Sequence, residues 1–147
     1  MIAVVNASPL IQLEKIGRLH LLNDFFTTVY IPNAVMHEIQ SLNLTRLTYT
    51  VLPFIYPNAV SGILHPLHMG EAEVIIGAKE LSADIAVLDD REARNRAKKF
   101  NIHVVGTLGI LQRANKQGMI IDFAQTIMFL RDSGMYISES LMEKLIK

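Results

Sequence analysis

The 147-residue sequence contains no cysteine. That excludes disulfides and zinc–thiolate sites, and it suits a reducing compartment. Formal charge of either sign is missing from Leu47 to Met69. This stretch does not read as a membrane helix, because Pro53, Pro57 and Pro66 would break one and Thr48, Thr50, Asn58 and Ser61 dilute it. Its Leu52, Phe54, Ile55, Tyr56 and Ile63 need cover, either from the chain's own core or from a subunit or partner. Glycine is absent from Asn6-Ala7-Ser8-Pro9, so the first apolar run is not followed by the phosphate loop of a nucleotide-binding domain. The first residues carry neither the basic flank nor the cleavage site of a signal peptide, and a cytoplasmic location is expected. The net charge is zero, which argues against a grip on nucleic acid by bulk electrostatics alone.

Half the residues are hydrophobic and the mean hydropathy is positive. A chain of this length can bury a substantial core, so one folded domain spanning 1–147 is expected and disorder is not. Short apolar runs alternate with helical patterns, the signature of βαβ units and a three-layer α/β/α sandwich around a parallel sheet. Strands are expected at Ile2–Val5, Thr28–Ile31, Ile85–Leu88 and Ile102–Val105. Ser8 reads as the N-cap of a helix with Pro9 in its first position, running to Gly17. A short helix follows with Leu19, Leu22 and Phe26 on one face. Pro32 opens a helix carrying Val35, Glu38, Ile39 and Leu42. Further helices are expected from Gly70 to about Leu81, behind Asp89-Asp90 with Ala93, Ala97 and Phe100 facing inward, and from Gly106-Thr107 to near Gly118. Two more, from about Ile121 to Arg131 and from Ser138 to Lys147, complete the pattern, the last with Ser138 as its N-cap.

The acidic residues point to chemistry. In an open α/β sheet, ligands bind beyond the carboxyl ends of the strands. Asp89 and Asp90 follow one strand and Asn6 another. A cap for the helix starting at Arg91 accounts for one aspartate, and two in succession leave the second to be explained. At about 100° per residue, Val74, Ile75, Ala78 and Leu81 share a helix face with Glu71 at its centre, while Glu73 and Glu80 point to solvent. A carboxylate on a buried face needs a cation, a donor or a cleft. Glu38 sits at the edge of its helix's apolar face, a position open to a cleft or to solvent. Asn6 has two readings: a carbonyl ligand for a hard cation, or an amide shaping the turn into the next helix. Oxygen ligands of this kind are how Mg2+ is held, and a metal-dependent enzyme acting on phosphodiesters is the reading that follows.

Five cations, Arg91, Arg94, Arg96, Lys98 and Lys99, follow the aspartate pair within nine residues. They form a solvated face or, beside an acidic site, a grip on phosphates, with Arg91 and Arg94 the candidate nucleic-acid contacts. His65 and His68 are a weak pair after a proline-rich stretch, and zinc is not expected there.

Five blocks taken together resemble the PIN domain: Val5-Asn6-Ala7-Ser8-Pro9-Leu10-Ile11, Ile31-Pro32-Asn33-Ala34-Val35 leading to Glu38, Gly70-Glu71-Ala72-Glu73, Leu88-Asp89-Asp90-Arg91-Glu92-Ala93-Arg94, and Val105-Gly106-Thr107-Leu108-Gly109-Ile110-Leu111. The match is to a family of small prokaryotic PIN-like proteins related to VapC-type toxins, and it runs to about Gly118. The resemblance implies a Rossmann-like sandwich whose acids bind Mg2+ or Mn2+ and cleave single-stranded RNA. It places Asn6 where such nucleases have their first aspartate, Glu38 at the second acid, Glu71 at the third and Asp90 at the last, with Asp89 beside it. It also implies a toxin role with an antitoxin partner. A homodimer or larger assembly is expected, with the uncharged stretch from Leu47 to Met69 the place for its contacts, and no membrane contact is expected. The amide at Asn6 departs from the pattern and removes one negative charge. A catalytically weak or silent domain that binds RNA or a partner protein is the alternative.

Overall fold

Residues 1–53 and 67–147 are described by the computed structural model. Five strands, β1 (Ile2–Val5), β2 (Thr28–Pro32), β3 (Thr50–Leu52), β4 (Ile85–Val87) and β5 (Val104–Val105), form one sheet in the order β3-β2-β1-β4-β5. Every neighbouring pair is parallel. The chain builds outward from β1 through β2 to β3, then returns to the other side of β1 with β4 and β5. Strand order therefore reverses between β1 and β4. Ala3, Val4 and Val5 are fully buried, as expected of a parallel strand covered on both faces.

Eight helices are seen among the described residues: α1 (Ala7–Lys15), α2 (His20–Phe25), α3 (Asn33–Glu38), α4 (Met69–Glu80), α5 (Arg91–Lys99), α6 (Thr107–Lys116), α7 (Phe123–Asp132) and α8 (Glu139–Ile146). They flank the sheet in an α/β arrangement. α4 packs on β1, β2 and β4 and also touches α3 and α5. The core draws on sheet and helices alike, with Val4, Val5, Leu10, Leu13, Leu22, Ile31, Ile75, Leu88, Leu111 and Leu130 fully buried. Each leucine or isoleucine of this kind contributes about 1.5–3 kcal/mol relative to leaving it exposed.

The structure departs from the sequence pattern in several places. β3 was not expected. It pairs with β2 through Thr50, Val51 and Leu52 at the sheet edge, inside the uncharged segment. Leu47, Leu52 and Leu67 from that segment enter the core, whereas Val51 and Met69 stay exposed; Phe54, Ile55, Tyr56 and Ile63 lie outside the described residues. α3 stops at Glu38, one turn short of Leu42. Phe100 is an exposed residue rather than part of the inner face of α5. Ser8 is not an N-cap: α1 begins one residue before it, and Asn6 holds the cap position. Ser138 does cap α8, its hydroxyl accepting from the Leu141 N–H at 3.2 Å. No helix among the described residues is long and apolar enough to cross a membrane.

Candidate active site

Asn6 leaves the end of β1, where its N–H donates to the Val87 carbonyl at 3.0 Å and extends the β1–β4 ladder by one bond. Asp90 follows β4. Their side chains line one cleft together with Glu38, Glu71, His68, Asp89 and Arg91. Its volume is about 610 Å³. Ser8, Ile11 and Gln12 of α1, with Gly134, Met135 and Tyr136 between α7 and α8, make up the rest of its lining as a second wall. The four oxygen-bearing residues singled out as ligands thus come together from distant parts of the chain.

Three helix starts converge here. Asn6, His68 and Asp90 are the N-cap residues of α1, α4 and α5, so the positive ends of three helices face a cluster of carboxylates. Asp90 is the one whose side chain caps: Oδ2 accepts from the Ala93 N–H at 2.9 Å. Asn6 makes no side-chain cap bond. Its Oδ1 is buried without a hydrogen-bond partner, which removes support from the turn-shaping reading and leaves a carbonyl oxygen in need of a positive partner.

Glu71 is in the same situation. It is 9% exposed, and its Oε2 is buried and unpartnered. Burial pushes its carboxyl above the usual range first of all, and the Asp90 and Glu38 carboxylates push it further. The neighbouring His68 ring and a hydrogen bond with the His68 backbone oppose them. Three acids therefore sense one another across the cleft. A cation would relieve that repulsion and satisfy both orphaned oxygens, and the donors are the hard oxygens that Mg2+ or Mn2+ takes. Among the described residues, no three His, Asp or Glu side chains stand close enough to cage an ion by themselves. The residues fit an ion bound through one or two carboxylates and otherwise hydrated, the usual manner of Mg2+.

The two aspartates divide their work. Asp89 Oδ1 accepts from the Thr107 N–H, and Oδ2 accepts from both the Thr107 and Ser8 hydroxyls. It ties the end of β4 to the first turns of α6 and α1, and both its oxygens are engaged. Ser8 and Thr107 were not read from sequence as holding this carboxylate, and no local signal marks the pairing, because the three residues are far apart in the chain. Arg91 lines the cleft; Arg94 does not, and its guanidinium lies beside Gly106. His65 falls outside the described residues.

Glu73 corrects the helical-wheel expectation. It is 7% exposed rather than solvated, and its Oε1 accepts from the Ala34 N–H at 3.1 Å. α4 is buried on every face from Gly70 to Ala78, so a calculation that assumes a solvent side fails. Glu73 satisfies one of the free N–H groups at the start of α3, the helix that ends in Glu38.

A parallel sheet with reversed strand order and acids gathered beyond its carboxyl edge defines a Rossmann-like α/β protein with a ligand cleft at the reversal. The PIN domain family DUF3368 matches residues 2–147, and the chain belongs to it. Its structure is similar to that of a PilT N-terminus domain protein from the hyperthermophilic archaeon Sulfolobus solfataricus P2, at a TM-score of 0.60 and 19% sequence identity. That alignment covers 78% of this chain and 93% of the other, and at such identity the likeness is one of fold. No curated protein sequence matches the chain.

Proposed function

We propose that this protein is a Mg2+- or Mn2+-dependent endoribonuclease acting on single-stranded RNA. The observation that supports it most is the pairing of orphaned oxygens, Asn6 Oδ1 and Glu71 Oε2, with a Glu71 carboxyl displaced upward between Asp90 and Glu38. Buried negative charge of this kind without a partner is costly, and a divalent cation is the partner its donors suit. One or two of the Glu71, Asp90 and Glu38 carboxylates, with the Asn6 carbonyl, would hold a largely hydrated ion, which when bound supplies Lewis acidity toward a phosphodiester and lowers the pKa of water. Arg91, at the same cleft, adds a fixed positive charge for a phosphate oxygen. The N-termini of α1, α4 and α5 favour an anionic substrate from the same direction. Asp89 keeps the end of β4 in place through Ser8 and Thr107.

The test is cleavage of single-stranded RNA by the purified protein in Mg2+ and Mn2+, with Asp90→Asn and Glu71→Gln as comparisons. Loss of activity in both variants is expected. Cleavage that both substitutions leave untouched would remove these residues from the mechanism.

The Asn6 amide favours a second reading, a domain that binds RNA or a partner without cutting. Calorimetric titration with Mn2+ separates the two, since absence of binding at millimolar concentration agrees only with the second. A toxin role with an antitoxin partner goes with the nuclease reading, and a small gene adjoining this one is the observation that bears on it.

A further inference from the structure

One wall of the acidic cleft has a different character from the rest. Ile11 and Gln12 of α1 stand with Met135 and Tyr136 of the loop between α7 and α8. The Tyr136 side chain is held out into solvent, the residue being 89% exposed, while the next residue, Ile137, is buried in the core. The loop that carries it is anchored. Gly134 takes φ +117°, a left-handed conformation that glycine adopts without strain. The Gly134 and Met135 N–H groups return to the carbonyls of Arg131 and Leu130 at 3.2 and 3.0 Å, the bonding pattern of a helix-terminating Schellman turn. Lys15 of α1 adds a bond from its Nζ to the Ser133 carbonyl at 3.2 Å. Gln12 contributes an amide whose Oε1 is buried without a hydrogen-bond partner.

We propose that this wall is a nucleobase subsite, in which Tyr136 stacks on one base of a single strand and the Gln12 amide meets that base's edge. An exposed aromatic ring on an anchored turn is how proteins hold unpaired bases. A mostly apolar wall with one amide is the composition of a site that orients a flat heterocycle. Arg91, and a cation that the carboxylates at the same cleft would hold, suit the backbone phosphate, so base and phosphate have separate receptors within one opening. The inference rests on the nuclease reading and adds to it where the strand lies and which part of a nucleotide each wall takes.

The experiment uses fluorescein-labelled single-stranded RNA of mixed sequence, with anisotropy read in Ca2+ for the wild type, Tyr136→Phe, Tyr136→Ala and Gln12→Ala. Matched oligonucleotides carry one abasic position, moved along the strand. Tyr136→Ala is expected to weaken binding about tenfold, from the usual worth of a stacked base, and Tyr136→Phe to stay within about twofold of the wild type. At one position the abasic substitution should reproduce the loss and add nothing to Tyr136→Ala. Gln12→Ala should reduce any preference among bases at that position. Equal affinity in all four proteins, or abasic losses that add to the tyrosine loss at every position, would overturn the subsite and leave the nuclease reading standing. A wild-type protein that neither binds nor cuts any of these strands overturns both.

Discussion

Asp89 holds Thr107 at two points, through the backbone N–H and the hydroxyl, each at 2.7 Å. Thr107 is fully buried, so both donors are shielded from water on their own side of the bond. Hydrogen bonds to a charged group contribute about 1.5–3 kcal/mol. Thr107→Val keeps the shape and removes the hydroxyl donor. It should lower stability by an amount in that range, read as a shift in the urea midpoint at constant slope. An unshifted midpoint would mean that the hydroxyl bond contributes nothing.

Glu71→Gln should stabilise the metal-free protein at neutral pH while removing its response to Mn2+. The Glu71 carboxyl is raised from 4.5 by burial, with Asp90 and Glu38 adding to it. Between that ordinary value and the raised one, the folded protein keeps a proton that the unfolded chain has released. Stability from this group is therefore fully present below the unfolded value and is lost as pH rises through the folded one. At about pH 7, above the ordinary value, keeping this carboxyl in the folded cleft is a liability that the neutral amide lacks. Melts in a chelating buffer should show a gain on the order of a few degrees near neutrality, shrinking as the buffer is acidified below the ordinary carboxylate range. A gain that grows toward acid would contradict the sign.

Asn6→Asp restores the negative charge that the family pattern places there. It should tighten Mn2+ binding by about tenfold or more, the effect of one added carboxylate ligand, and raise RNA cleavage with it. The metal-free variant should melt below the wild type, because a fifth carboxylate joins a cleft already crowded with negative charge. Calorimetry and thermal melts read the two effects separately. Tighter binding without any cleavage would favour the silent-domain reading.

Gly70→Ala tests how closely α4 and α3 approach. A Cβ at this position collides with Glu38 Oε1 and comes within 3.3 Å of the Val35 Cγ2. The carboxylate is the flexible end of its side chain and can swing aside, and alanine is the better helix former by about 1 kcal/mol. The fold should survive with its melting temperature within a few degrees of the wild type, while Mn2+ affinity drops several-fold as Glu38 leaves the cleft. Unchanged affinity would remove Glu38 from the ligand set.

The parts of this molecule visible in its sequence were those governed by local pattern. Apolar runs located β1, β2, β4 and β5, and the wheel position of Glu71 located a buried carboxylate. β3 escaped because Thr50-Val51-Leu52 is three residues long, sits at a sheet edge and ends at Pro53, so it has too little pattern to register. Glu73 escaped for the opposite reason: α4 is surrounded by sheet and helices, and one oxygen of Glu73 is taken up by the Ala34 N–H. The different duties of Asp89 and Asp90 depend on Thr107 and Ser8, which no spacing rule connects to them. The wall formed by Gln12 and Tyr136 joins residues more than a hundred positions apart, and only the folded chain shows it.

The bond from the Asn6 N–H to the Val87 carbonyl fixes more than a strand end. Adjacent strands stand about 4.8 Å apart, and the chain leaves β1 and β4 side by side at the carboxyl edge of the sheet. The span across this opening is thus ruled by backbone geometry, like the jaws of a caliper locked at one setting. Exchanging an amide for an acid at the tip of a jaw alters what is gripped and how tightly, yet leaves the gauge itself alone.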